Sequence, residues 1–298
     1  METIYIEHSN SMQATVESAP CVLALGFFDG VHVGHRGILE AAKEAARQKG
    51  CKFSVMTFYP HPRDVIFPDR EPMTYLTPLP VKEERFRELG VDQLFIVKFT
   101  PDFARLSPED FIQHYIISLQ CKHVVAGFDY HYGHKGKGNM ETLTEAGRGK
   151  FDVTTIRKIE QHEEKISSTA IRELLSAGKV ETVPGLLGCF YEVRGEVKQN
   201  SLFYKNHQFI KVDTSENYRF PKLGVYRVEV EMDGRVYSGI CHQMSVADRK
   251  PSLLVQLQNC FAETQGKQIT IKWKKYLYGK LSESSGMNDY MQRDELVI

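Results

Sequence analysis

Up to about residue 185 the chain alternates short apolar runs with helical periods, and this alternation restricts the fold more than any other feature. The runs are CVLAL from Cys21, FSVMTF from Phe53, QLFIVKF from Gln93, HVVAG from His123 and DVTTI from Asp152, each followed by a helical stretch. Runs spaced in this way predict parallel strands joined by crossover helices that cover the sheet. The first stretch sets Ile38, Leu39, Ala42, Ala45 and Ala46 on one helical face and stops at Gly50, as an amphipathic helix on a sheet does. Ser107-Pro108-Glu109-Asp110 opens another helix, with a capping hydroxyl, a first-turn proline and an acidic residue three places on. The last helix of this half runs from about Ser168 to Ala177 and ends at Gly178.

After Pro184-Gly185 the period becomes two. Tyr226, Val228 and Val230 alternate with Arg227, Glu229 and Glu231, the chain turns at Asp233-Gly234, and Val236-Tyr237 follows, which is a hairpin signal. QITIKWKK, from Gln268, reads as another such strand. The expected organisation is a Rossmann-like α/β domain over residues 1–185, then an antiparallel β-barrel with a C-terminal helix over 186–298.

With 42% apolar and 26% charged residues in 298, disorder, collagen and coiled coil are excluded. Thirty-eight basic residues balance thirty-eight acidic ones, so no global field draws the chain to nucleic acid or anionic lipid, and an anionic partner needs a local site. Stretches such as VLALGFF and YIISL fall far short of the ~20 residues that cross a bilayer. METIYIEHSN lacks the layout of a signal peptide, and the expected location is the cytoplasm. Six cysteines without paired spacing read as reduced core residues.

The first strand runs through Gly26-Phe27-Phe28-Asp29-Gly30-Val31-His32-Val33-Gly34-His35 straight into a helix. A helix start at a strand's carboxyl end offers free N–H groups and partial positive charge to phosphate. Gly34 leaves room for a ligand oxygen, and His32 and His35, three apart, can lean toward one anion. Two histidines are too few for a closed zinc site, and no Cys or carboxylate stands at metal spacing nearby. A second signal, Ile166-Ser167-Ser168-Thr169-Ala170-Ile171-Arg172, gives hydroxyls at another helix start with Arg172 one turn in. By itself it also reads as an ordinary helix cap. The third, Ala126 to Gly138 (AGFDYHYGHKGKG), is a strand end entering a loop of Gly, Lys and aromatics that suits a planar ring beside phosphates or a plain flexible loop. Thr57-Phe58-Tyr59-Pro60-His61-Pro62-Arg63 is a facing wall or a proline-stiffened turn.

Taken in order, GFFDGVHVGH, PHPRDVI, LTPLPVKEERFRELGVD, GFDYHYG and ISSTAIRELL resemble the adenylyltransferase module of prokaryotic bifunctional FAD synthetases, the riboflavin kinase/FMN adenylyltransferase family. The resemblance implies an HxGH nucleotidyltransferase that joins FMN to the AMP part of ATP with Mg²⁺ and releases pyrophosphate. It implies catalytic roles for His32, His35 and Arg172, and ATP contacts from Gly26, Phe27, Asp29, Gly34, Asp129, Ser167, Ser168 and Thr169. Pro62, Arg63, Ile66, Asp129 and Tyr132 would line the flavin side. No metal ligands are assigned, nor an oligomeric state, and no nucleophile suits a covalent intermediate. His131 and His134 depart from the family's usual aromatic and basic residues.

The second half resembles the family's riboflavin kinase barrel less evenly. LGVYRVEVEMDGRVYSGI keeps its strand pattern, but RGEVKQNSLFYKNHQFIKV, from Arg194 to Val212, lacks the Gly-rich loop and the Pro-Thr-Ala-Asn segment. Leu254 falls near the position of the catalytic glutamate, and no Glu occurs between Glu231 and Glu263. The expectation is a monofunctional FMN adenylyltransferase, against a bifunctional enzyme or a non-catalytic flavin- or nucleotide-binding regulator.

Overall fold

The computed structural model describes residues 1–8, 19–157, 160–161, 164–199, 203–204, 207–244, 252–260 and 263–279. The chain forms two compact units, Met1–Ser168 and Thr169–Ile298.

In the first unit β1 (Glu2–Ile6), β2 (Cys21–Leu25), β3 (Lys52–Tyr59), β4 (Gln93–Lys98), β5 (Cys121–Gly127) and β6 (Asp152–Ile156) build one sheet in the order β1-β4-β3-β2-β5-β6. Every pairing is parallel. Helices α1 (Val33–Lys49), α2 (Pro62–Ile66), α3 (Leu79–Glu88), α4 (Pro101–Ala104), α5 (Pro108–Ile112) and α6 (Met140–Gly147) lie between the strands. The five anticipated strands are all present; β1, which the sequence reading leaves out, adds an edge beside β4.

Successive residues of β2 feed opposite faces. Val22 and Ala24 join Ile38, Leu39, Ala42, Ala46 and Phe86 on one side, while Leu23 and Leu25 join Phe103, Phe111, Tyr115 and Leu143 on the other. Both faces are covered, so β2 reads as a continuous apolar run. Gly50, in the left-handed region at φ 62, ends α1 as anticipated, and Ser107 caps α5 by accepting the Asp110 N–H at 3.0 Å. The order reverses between β2 and β5, so the crevice at their carboxyl ends is the ligand position of an open parallel sheet. Cys21 and Cys121 are register partners at the other end, a neighbourhood their sequence spacing conceals. All six cysteines are free thiols.

A short hairpin, β7 (Glu160–Gln161) with β8 (Glu164–Lys165), precedes α7 (Ser168–Ala177), followed by α8 (Val183–Leu187). The sequence reading puts α7 with the first domain, whereas from Thr169 onward it belongs to the second compact unit. Its end is tied there by the Lys222 N–H to the Leu175 carbonyl at 2.8 Å and by the Arg219 guanidinium to the Ser176 hydroxyl at 2.6 Å.

The second unit is a closed antiparallel barrel. Strands β9 (Glu192–Gln199), β11 (His207–Asp213), β14 (Ser252–Gln258), β13 (Arg235–Met244), β12 (Gly224–Met232) and β15 (Gln268–Tyr278) pair in sequence around a ring that shuts when β9 meets β11, with the short β10 (Phe203–Tyr204) added on β11. Tyr226, Val228, Val230, Val255, Ile271 and Trp273 are buried among its core residues, the Tyr226 and Trp273 rings meeting edge to face at 4.8 Å. Asp233 and Gly234 turn the anticipated hairpin at φ 50 and 72. Closure brings backbones together at Gly195, where a Cβ would stand 2.5 Å from the Asp213 carbonyl oxygen. The anticipated C-terminal helix lies outside the described residues.

Candidate active site

Between the end of β2 at Leu25 and the start of α1 at Val33 the chain makes a tight loop with three positive φ values: 55 at Phe28, 92 at Gly30 and 46 at Val31. Only the glycine takes this region without cost; a β-branched residue there costs on the order of 1–3 kcal/mol. The loop is held because the segment from Leu76 to Arg85 grips it. Asp29 Oδ1 accepts the N–H groups of Leu76 and Thr77 at 2.9 and 3.1 Å, and Thr77 Oγ1 accepts the Gly30 N–H at 2.7 Å. Arg85 donates to the Gly30 carbonyl at 2.8 Å, and Lys82 Nζ donates to the Phe27 carbonyl at 2.7 Å. Ser168 Oγ closes the set with a 2.8 Å bond to the Asp29 carbonyl. Phe28, fully buried, packs edge to face on Phe86 and His35.

This scaffold sets the two histidines. His32 is the N-cap of α1, and its Nδ1 accepts the His35 N–H at 3.2 Å. The acceptor role leaves the neutral ring's proton on Nε2, which is then the donor available to a ligand. The imidazoles of His32 and His35 stack with centroids 3.6 Å apart and planes 13° from parallel. Burial pushes His32 down to about 4, against the weaker opposing pull of Asp29 and Asp129. Burial, then the charges of His32 and Lys82, holds His35 well below its ordinary value. Both rings are therefore neutral donors at pH 7. A Cβ on Gly34 would come within 3.1 Å of the His32 ring, so the glycine keeps the stack and the helix start together.

Gly26 leads out of β2 and lies against the Phe28 ring. Phe27 carries Lys82 Nζ over its ring at 4.2 Å and meets the His61 ring at 4.5 Å. His61 caps α2, so Pro62, Arg63 and Ile66 stand beside this wall. Arg63 is half-buried and donates to the Glu71 carbonyl at 2.8 Å, while Ile66 is exposed. Asp129 is exposed just past the end of β5. Tyr132 lies in the apolar core, 5% exposed, with its ring against Phe111 and its hydroxyl 3.2 Å from Thr142 Oγ1. His131 Nδ1 pairs with the Gly136 carbonyl at 3.1 Å. Ser167 and Ser168 close the first unit, and Thr169 and Arg172 follow on the part of α7 in the second.

The gripping segment is what sequence reasoning missed: LTPLPVKEERFRELGVD carries the resemblance, yet none of its residues receives a role. One signal was available. Lys82 is four residues before Phe86, on the same helical face, and both are buried.

In the barrel, Leu254 lies on β14 between register partners Lys211 and His242, and no carboxylate stands at these positions. His242 is 1% exposed, and burial lowers it to about 4.

Residues 14–170 match the family model described as FAD synthetase. A bifunctional riboflavin kinase/FMN adenylyltransferase from Listeria monocytogenes is 37% identical, the alignment covering 99% of this chain and 96% of the relative. The chain belongs to the FAD synthetase family. It is a transferase of that family. A second protein of the same description, from Bacillus subtilis, is 40% identical over 92% of this chain and 89% of its own. A crystal structure described as a macrolide-efflux protein from Streptococcus pneumoniae superposes with a TM-score of 0.84 over 99% of this family member and 97% of its own chain; at 24% identity the likeness is one of fold. Among the described residues no helix is long and apolar enough to cross a membrane.

Proposed function

We propose that the chain transfers AMP from ATP to FMN, giving FAD and pyrophosphate, and that it does not phosphorylate riboflavin. The observation that carries this reading is the stacked His32–His35 pair at the start of α1, in the crevice between β2 and β5. An FMN phosphate oxygen attacks the α-phosphorus of ATP, forming one P–O bond as the bond to the β-phosphate breaks. The attacking group is already an anion, so no general base is required. What the reaction needs is two anions held in line and donors aimed at the charge on the phosphorus. His32 Nε2–H, the His35 ring, the first N–H groups of α1 and Arg172 supply these donors. Ser167, Ser168 and Thr169 hold the polyphosphate at the start of α7, and Pro62, Arg63, Ile66 and Asp129 flank the flavin.

Mg²⁺ suits this donor set. The ion takes one or two carboxylates and leaves its other positions to water and phosphate. Asp129 is the exposed carboxylate nearest that role, and Asp29 Oδ1 already serves two backbone N–H groups. Bound Mg²⁺ would neutralise phosphate charge. We place the enzyme in the cytoplasm, in keeping with its free thiols.

Loss of kinase activity is supported by Leu254, which offers no base for the ribityl hydroxyl, and by the missing glycines between Arg194 and Val212. The relatives' own description favours a second reading, the bifunctional enzyme. Incubation with ATP and Mg²⁺ plus either riboflavin or FMN, followed by chromatography of the flavins, separates the two. FAD from FMN, with no FMN from riboflavin, is expected. FMN formed from riboflavin at an enzyme-like rate establishes the bifunctional reading, and inert protein with either flavin favours a regulator.

A further inference from the structure

Lys82 is 2% exposed, and its ammonium sits over the Phe27 ring at 4.2 Å, donating to the Phe27 carbonyl at 2.7 Å and reaching Thr57 Oγ1 at 3.4 Å. The carbonyl does not depend on it, because Thr57 Oγ1 donates to the same oxygen at 2.9 Å. Burying an ammonium carries a desolvation cost that a methionine of similar length would avoid. What Lys82 adds at this place is charge. It stands behind the loop that carries His32 and His35, in a part of the fold where the low dielectric carries charge further than water does.

We propose that Lys82 is a positioning residue for adenylyl transfer, its buried positive charge offsetting the negative charge that two phosphate-bearing substrates bring to the histidine loop. The proposal rests on the reaction assigned above. The groups that face Lys82 are Asp29, which favours its charged form, and His35, held neutral chiefly by burial and less by the charges of His32 and Lys82. Arg85 is one turn further along α3, and Tyr75, pushed up to about 12 by burial, flanks Phe27. Burial lowers Lys82 to about 8, so among these groups it is the one that titrates just above neutrality.

The test compares wild type, Lys82→Met and Lys82→Arg. kcat/KM for FMN is measured from pH 6 to pH 10, and far-ultraviolet circular dichroism checks folding. Wild type is expected to lose kcat/KM above about pH 8 as the ammonium deprotonates. Lys82→Met, folded, is expected to fall ten- to a hundredfold at neutral pH and to lose this alkaline limb. Lys82→Arg keeps a charge that does not titrate, so it is expected to recover part of the activity without the limb. A folded Lys82→Met protein with wild-type kcat/KM overturns the proposal. So does one that is slow but keeps the alkaline limb, since its defect is then only structural. Wild-type protein that makes no FAD removes the assigned reaction and this inference together, whereas FAD formation by wild type beside an unaltered variant removes only the role of Lys82.

Discussion

Acidification from about pH 7.5 to about pH 5 should weaken the first unit through His32. The folded ring has a pKa of about 4 because it is buried, while in the unfolded chain it returns to 6.5. Between those values the unfolded chain binds the extra proton, so this contribution to stability is complete above pH 6.5 and is lost as the pH falls toward 4. At ~1.4 kcal/mol per pH unit, the stretch from 6.5 to 5 removes ~2 kcal/mol. The comparison is His32→Asn, since asparagine can still accept the N–H at the start of α1 but cannot titrate. The assay is urea unfolding at both pH values, read in two ways. Circular dichroism at 222 nm follows mainly the first unit, whose α1, α3 and α6 outweigh α7 and α8 of the second. The chain's single tryptophan, Trp273, reports the barrel. Wild type should lose ~2 kcal/mol more than His32→Asn in the helical transition, with the tryptophan transition equal in the two proteins. Equal acid sensitivity of the helical transition would refute the argument that His32 is buried and neutral.

Other substitutions probe separate parts of the structure. His35→Ala should leave the fold intact and slow FAD formation by roughly a hundredfold or more, because it removes a preorganised donor; unchanged turnover takes His35 out of the mechanism. Arg172→Ala should chiefly weaken ATP binding, by about 1.5–3 kcal/mol for a charge-assisted contact, which titration calorimetry measures. Asp29→Ala strips an acceptor from the Leu76 and Thr77 N–H groups, so a loss of ~3 kcal/mol is expected in the helical unfolding transition. Gly195→Ala forces a methyl onto the Asp213 carbonyl and should destabilise the barrel by ~1–3 kcal/mol, seen in the Trp273 transition.

Five strands of the first unit were readable as short runs between helical periods, and the β12–β13 hairpin because Asp233-Gly234 demands left-handed backbone. β1 escaped notice as a five-residue edge strand with a single buried residue, Ile6. His32 and His35 were legible as a pair, since their spacing and the strand-to-helix transition are local. Their neutrality was not, for it follows from burial that no local pattern expresses. The grip on the loop was hidden for a similar reason: Asp29 and Thr77 are 48 residues apart and meet only through the tertiary fold. Cys21 and Cys121 illustrate the same limit at the opposite end of the sheet.

Closure of the barrel sets the two units apart in how they tolerate crowding. A ring in which β9 pairs with both β15 and β11 leaves little unpaired backbone along its wall, so a neighbouring chain has few places to add a strand. The first unit's sheet ends at β1 and β6, and among the described residues neither has a strand partner on its outer side. Both edges are five residues long, and β1 begins with Glu2 and is followed by Glu7. Shortness and charge of this kind discourage sheet-to-sheet growth. Self-association at high concentration should therefore begin at β1 or β6, and lengthening or neutralising those edges would reduce the solubility of the protein while leaving its barrel untouched.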